Sequence, residues 1–379
     1  IGNGEMLVYG VGPNIESLFG PPYSSPPFAG MALEPDGGAA RAESERVPST
    51  AVWHHRLYGP DGSQAACATD YMLPERNVFV RDTDAAAELV FRLAPAPNVR
   101  RTGARSAWFG ESFPDASSVL LSYTKGPTFL AYDPVTEEAD LLVTVHGDAA
   151  FEATEDGGIR IRMRPGRSRL LFAAGSRLPE LLRDTEAVLG DAAGRHLTDT
   201  RAYWQRFAAR RPDFASRIPD GHPHRASMLD AIDSVAVLIK CQQSSSGGVV
   251  PGHRYSPMAY VRDMAGVLRG LLALGCPEEA KAILTFWRRK WERFGNLQNA
   301  EGMGDDSVRL SGGNNEVEVP AYVILCCFAY YEQTKDRFES PERRKGRHIL
   351  VTATDGLDDA AAQKKAQELT EKAKGGADF

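Results

Sequence analysis

Over residues 1 to about 190 the apolar positions fall in short runs, several with a period of two. Ile159, Ile161 and Met163 alternate with Arg160, Arg162 and Arg164, which predicts a strand with one apolar and one basic face. Asp156-Gly157-Gly158 just before it is a turn signal, and Phe151 to Glu155 is the expected partner strand. Gly59-Pro60-Asp61-Gly62 separates a Trp53–Tyr58 run from a Cys67–Met72 run. Val119 to Tyr123 and Leu141 to Val145 are further apolar runs of strand length. Many short strands joined by Gly, Pro and Asp turns predict a β-sandwich over residues 1–194. The three arginines read as a solvated strand face rather than an anion site.

From about residue 195 the period lengthens to that of a helix. Leu197 to Phe207, with Tyr203 and Trp204, is a linking helix inside a connecting segment of residues 195–224. Met228, Leu229, Ile232, Val235, Ala236 and Ile239 follow helical spacing, and Gly247-Gly248 lies in the loop beyond. Ser256 and Pro257 suit the N-cap and first position of a second helix, which carries Tyr260, Arg262 and Asp263 and stops at Gly275. Ala280, Leu284, Trp287, Trp291 and Phe294 mark a third helix, and this stripe reads as packing core rather than an aromatic sugar platform. A fourth helix spans about Val319 to Gln333. Pro257-Met-Ala-Tyr-Val and Pro320-Ala-Tyr-Val are near-repeats, each after a polar loop and each expected to open a helix. They suggest a helical hairpin repeat over residues 225–335, with alternate helices presenting their N-termini on the same side. Residues 336–379 form a charged tail, with an Ala/Gln/Lys/Glu-rich segment from Asp358 to Lys374. The fold class expected is multidomain α+β.

Composition narrows the function classes. The 379 residues are 42% hydrophobic and 25% charged, as in ordinary globular proteins. A net charge of -6 argues against a broad nucleic-acid or anionic-membrane surface. No apolar run reaches the roughly 20 residues of a membrane span. Cys67, Cys241, Cys276, Cys326 and Cys327 are few and odd in number, and read as small core residues rather than a disulfide framework. The chain opens on Ile1 with neither an initiator methionine nor a signal-peptide pattern. This leaves the natural N-terminus open and constrains localisation weakly, with the cytoplasm favoured.

Two polar loops carry the candidate chemistry. The first, with His253, Arg254 and Tyr255, leads to Arg262 and Asp263, a charged pair in the opening turns of a helix. Such a pair suits a polyhydroxylated ligand; the bland alternative is ordinary helix-surface charge. The second runs from Asn299 to Pro320 and is rich in amides, carboxylates and glycine, including Asn315, Glu316 and Glu318. Glu316 and Glu318 point the same way if the segment is extended. Glycoside hydrolysis uses one carboxyl to protonate the leaving oxygen and usually a second to activate water or attack the sugar, so these two are the catalytic candidates. The alternative is a solvated acidic loop capping the next helix. Asp305 and Asp306 read as turn residues. His222-Pro-His224 lacks metal-ligand company and reads as a linker, so no metal and no cofactor are expected. Trp53-His54-His55 either packs under the sandwich or faces the helical region, and the pattern leaves both open.

The stretch Lys240-Cys-Gln-Gln-Ser, then Gly247-Gly-Val-Val-Pro-Gly-His-Arg-Tyr and Ala259-Tyr-Val-Arg-Asp, resembles the six-hairpin glycosidases, in particular glucoamylase-like hydrolases. Arg262-Asp263 looks like that family's pair, which binds the terminal sugar and is not the proton donor. The region closing with Thr200-Arg-Ala-Tyr-Trp is similar to the β-sandwich that precedes the α/α toroid in bacterial members. The resemblance covers roughly residues 1–335. It departs from the family in two ways. Residues 225–335 supply about four helices, roughly a third of a six-hairpin ring. In glucoamylase-like enzymes the catalytic acid lies further along than Asn314 to Pro320, and no matching Trp-Glu motif follows. The resemblance implies a glycoside hydrolase acting on an oligo- or polysaccharide, with a partial α/α toroid. A carbohydrate-binding protein without a proton donor and a glycoside phosphorylase are the alternatives. The expected partner is a carbohydrate, with no nucleic acid and no membrane; sugar, linkage and oligomeric state stay open.

Overall fold

The computed structural model describes residues 1–21, 23, 28–35, 41–95, 116–121, 123–125, 128–130, 141–154, 159–175, 177–190, 194–252, 258–303 and 318–336. An N-terminal region of antiparallel sheets precedes a region of few helices. The strands of the first sheet are β1 (Leu7–Val11), β2 (Asn14–Phe19), β3 (Phe28–Pro35), β8 (Leu89–Pro95), β14 (Ile159–Met163) and β13 (Ala149–Ala153), in that spatial order. Those of the second are β4 (Arg41–Arg46), β5 (Trp53–Tyr58), β6 (Gln64–Met72), β7 (Val78–Ala85), β15 (Gly166–Ala174), β12 (Leu141–His146) and β9 (Ala116–Leu121). The short strands β10 (Tyr123–Lys125) and β11 (Thr128–Leu130) form a separate pair.

The period-two reading holds at residue level. β13 pairs with β14 through Ala149↔Met163 to Ala153↔Ile159, two residues earlier than the expected partner strand. Arg160 and Arg162 engage Glu152 on that strand, and Arg162 also reaches Glu88, so the basic face is balanced by carboxylates. β5 and β6 form a hairpin over the Gly59–Gly62 turn.

The two sheets share a buried cluster: Met6, Val8, Leu18, Phe91, Ile161 and Met163 from one meet Leu57, Phe79, Val143, Leu170 and Phe172 from the other. The second sheet is apolar on both faces. Leu171 and Ala173 on β15 and Val78 and Val80 on β7 turn away from the first sheet toward Leu181 and Val188. Those two residues belong to α1 (Leu178–Leu189), whose two apolar residues seven apart lie on one face. The period-two pattern places this stretch in the β region, and the structure makes it a helix. The correction has a physical reason: β15 is a continuous apolar run, as expected for a strand covered on both sides, and it needs a helix on its outer face. Each fully buried Leu, Val or Phe contributes about 1.5–3 kcal/mol.

The helices are α2 (Arg195–Ala209), α3 (Arg225–Gln242), α4 (Val261–Ala273), α5 (Pro277–Phe294) and α6 (Val319–Thr334). Their core holds Trp204, Phe207, Met264, Leu268, Leu271, Ile283, Leu284 and Trp287, and Leu7, Phe19 and Tyr23 of the β region join it. Along the stripe of α5, Ala280, Leu284 and Trp287 are buried, but Trp291 is exposed, so its far end leaves the core. All five cysteines are free. Cys241, Cys276 and Cys326 are buried as expected, whereas Cys327 is exposed on α6. Among the described residues no helix is long and apolar enough to cross a membrane.

Candidate functional site

α4 and α6 run side by side in the same direction. Arg262 lies near Glu318 at one end, the Cys326 thiol reaches the Ala265 carbonyl in the middle, and the Gln333 amide donates to the Leu272 carbonyl at the other end. α5 connects them and returns between, which puts two helix N-termini on one side of the region. That is the arrangement the near-repeat predicts, although the two copies differ locally. Ala259 and Tyr260 are extended in β16 (Met258–Tyr260), while Ala321 and Tyr322 are already helical.

The start of α4 therefore differs from the expectation. It begins at Val261 with Tyr260 in an extended conformation at the N-cap, not at Pro257 with Ser256 as cap. The reason is tertiary. β16 pairs antiparallel with β17 (Ala300–Gly302), and the Val261 amide donates to the Asn299 carbonyl at 2.7 Å. This short ribbon ties the approach to α4 to the segment that leaves α5. Its residues Ala259, Ala300 and Glu301 are buried, and Glu301 Oε1 accepts from the Gln298 amide at 2.7 Å. Glu301 and Asn299 form a polar floor that the hydrophobic pattern did not reveal, because three-residue strands carry too little period to read.

A second support comes from the Gly247-Gly248 loop, which lies against α5. Gly247 has φ +98, and a Cβ there would stand 2.1 Å from the Ala282 carbonyl oxygen. The hydroxyl of Ser246 donates to the Met303 carbonyl at 2.7 Å, and Arg289 on α5 donates to the Ser246 carbonyl at 2.7 Å. At the base of α5, the buried Glu279 accepts from Lys240 Nζ at 3.0 Å and Arg210 Nη2 at 2.9 Å, joining α2, α3 and α5. Burial pushes the Glu279 carboxyl up, and the Lys240 and Arg210 cations outweigh it, leaving it below its ordinary value.

On this support sit the expected site residues that the structure describes. Arg262 Nη1 lies 3.9 Å from Glu318 Oε1, with the two side chains 55% and 47% exposed. Residues 56 positions apart thus approach each other where α4 and α6 begin. A pair this open contributes about 0.5 kcal/mol to stability, so folding energy does not account for it. Asp263 is exposed in the first turn of α4, where a carboxylate also suits the helix dipole. Arg262 and Asp263 are both solvent-facing, so neither turns into the core. Glu318 has φ -79 and ψ -14, a helical conformation at the N-cap of α6, so the extended geometry expected to align it with Glu316 does not reach it. Arg254, Tyr255, Asn315 and Glu316 lie outside the described residues, as do Asp305 and Asp306.

His222 and His224 stand in the turn before α3 with ring centroids 6.0 Å apart. Among the described residues no group of three or more His, Cys, Asp or Glu could hold a metal ion. The Trp53-His54-His55 question resolves by alternation. His54 bonds Thr69 and reaches Arg201 of α2, whereas His55 turns between the sheets to Asp70.

No family model matches this sequence, and no curated protein matches it. Solved structures do. A bacterial glucoamylase complexed with acarbose aligns with 89% of this chain and 56% of its own, at a TM-score of 0.64 and 8% identity. A GH92-family glycosyl hydrolase aligns over 98% of this chain and 59% of its own, with TM-score 0.45 and 11% identity. A GH92-family α-mannosidase from Bacteroides thetaiotaomicron, in complex with mannoimidazole, aligns over 86% and 49%, with TM-score 0.41 and 10% identity. The chain spans a little over half the length of the glucoamylase, and the likeness is one of fold.

Proposed function

We propose that this chain is a carbohydrate-active protein of the glycoside hydrolase kind, with a β-sandwich over residues 1–194 and a partial α/α toroid over residues 225–335. Its sugar site is the mouth at the N-terminal ends of α4 and α6. The observation that carries this reading is the 3.9 Å approach of Arg262 to Glu318, two half-exposed ionic side chains from distant parts of the chain. A guanidinium offers donors and a carboxylate offers acceptors, and together they match the vicinal hydroxyls of a sugar ring. Arg254, Tyr255, Arg262, Asp263 and Asn315 are the substrate-binding residues, and Glu316 and Glu318 are the carboxyls that serve as acid and base in cleavage.

The test is product release across a panel of α- and β-linked glucosides and oligosaccharides. Cleavage should fall at least about 100-fold in Glu316→Gln or Glu318→Gln, the loss expected for a general acid or base. Arg262→Ala should raise KM more than it lowers kcat. A second reading is favoured by Glu318, whose helical conformation at the N-cap of α6 does not give the extended alignment with Glu316. In it the chain binds sugar without cleaving it. Saturable binding lost in Asp263→Ala, with no product from any substrate, would select that reading. Turnover that requires inorganic phosphate would select a phosphorylase.

A further inference from the structure

A second group of reactive side chains lies far along the sequence from the sugar mouth, in the second sheet. Ser44, His55, Asp70 and Arg81 come from four successive strands, β4 to β7, and form one row across the sheet. Register places them: Ser44 is opposite His55, Asp70 is opposite Arg81, and the Trp53↔Asp70 pair puts His55 one diagonal step from Asp70. Arg81 grips the Asp70 carboxylate with two bonds, Nε to Oδ1 at 2.7 Å and Nη2 to Oδ2 at 2.5 Å. Asp70 Oδ2 is 3.2 Å from His55 Nε2, and His55 Nδ1 is 2.7 Å from Ser44 Oγ. His55, Asp70 and Arg81 are buried, while Ser44 is exposed on the edge strand.

The charge state of the row follows from these contacts. Burial pushes the Asp70 carboxyl up, but the Arg81 guanidinium and the His55 bond outweigh it and hold it below the ordinary carboxylate range. An ionised carboxylate only accepts, so His55 Nε2 carries the proton. In the neutral ring the Nδ1 lone pair then faces the Ser44 hydroxyl. Strand register accounts for a buried Asp70–Arg81 pair. It also sets the other nitrogen of the imidazole against an exposed hydroxyl, that of Ser44. The nucleophile is within hydrogen-bond reach of the base, and the base within reach of the orienting anion. At Gly12, in the turn between β1 and β2, an added Cβ would stand 3.6 Å from Ser44 Oγ, an ordinary contact, so that turn lies beside the hydroxyl.

We propose that Ser44 is an activated nucleophile, with His55 as its base, that accepts acyl groups from small carboxylic esters. Ser44 Oγ bonds to the ester carbonyl carbon while its proton passes to His55 Nδ1. The carbon–oxygen bond to the alcohol breaks, and the alcohol leaves with that proton. Water then attacks the acyl carbon and gives a proton to His55, which passes it to Ser44 Oγ as the acyl carbon–Oγ bond breaks, releasing the carboxylic acid and the free Ser44 hydroxyl.

The full chain incubated with a fluorophosphonate tests this, because that reagent marks activated serines. The expected result is one phosphonyl group per chain, mapped to Ser44 and absent from Ser44→Ala and from the urea-unfolded chain. Hydrolysis of p-nitrophenyl acetate should fall at least about 100-fold in Ser44→Ala. Ser44 is exposed and Ala removes only one hydroxyl, so the fold tolerates the change. No adduct on the native wild type overturns the proposal, as does an adduct that persists in Ser44→Ala or forms equally on the unfolded chain. None of these outcomes depends on the sugar site.

Discussion

Cys276 at the N-cap of α5 and Cys326 inside α6 are buried thiols. Burial, with the Glu279 carboxylate added, pushes Cys276 up to about 11. Burial also pushes Cys326 up to about 12, with Cys327 contributing. Thiolate is the reactive form, and a free cysteine sits near 8.5. At pH 8 the native chain should therefore alkylate with iodoacetamide at these two positions about 100-fold more slowly than the urea-unfolded chain, read by peptide mass. The sign for stability follows. Between about 8.5 and the raised values the unfolded chain releases these protons first, so the native state loses stability as pH rises through that window. The same scale separates what patterning reads from what it misses. Adjacent His54 and His55 face opposite sides of a strand, which alternation predicts. That His55 meets Asp70 and Arg81 depends on strand order, which neighbouring residues do not encode.

Single elements behave much as their periods foretell, and the exceptions lie where two elements meet. α4 is amphipathic, with Val261, Met264, Ala265, Leu268, Leu271 and Leu272 buried. α6 is apolar on nearly every side, yet Ile324, Leu325 and Phe328 are exposed. Its composition thus marks it as a helix but does not say which face packs. The Gly247-Gly248 loop shows an element's constraint most directly. Gly247→Ala would place a methyl 2.1 Å from a carbonyl of α5 at a φ of +98, which L residues rarely adopt. We expect a loss of at least about 2 kcal/mol, measured as a lowered urea midpoint at unchanged slope.

At the scale of the whole molecule, a few polar ties join the β region to the helices. The Tyr23 hydroxyl donates to the carbonyls of Cys241 at 2.7 Å and Gln243 at 3.1 Å. Asp233 of α3 accepts from the Ser49 amide at 2.8 Å and pairs with Arg46 at 2.9 Å and Arg211 at 2.5 Å, so it binds a sheet edge and the segment just after α2 together. Burial pushes the Asp233 carboxyl up, and the Arg211, Ser49 and Arg46 donors outweigh it, so the group lies below its ordinary value. A depressed carboxyl adds stability above the unfolded value of about 3.9 and loses it as pH falls through the folded one. Asp233→Ala should therefore destabilise the chain by about 2 kcal/mol at pH 7. It should also decline less steeply than wild type below pH 4 in thermal melts, and an equally steep decline would show that the tie is not linked to protonation.

By itself, the sequence determined that a region rich in strands precedes one of helices, because side-chain period and turn chemistry are local. It also singled out Arg262, Asp263 and Glu318 as candidates for a sugar site. Only the tertiary structure decided that α1 must cover β15, that β16 delays the start of α4, and that Arg262 and Glu318 lie 3.9 Å apart. It alone assembled Ser44, His55, Asp70 and Arg81 into one row. Each of these depends on which strands and helices become neighbours. That choice is made by burying apolar faces against one another over the whole chain, and no local window of residues contains it.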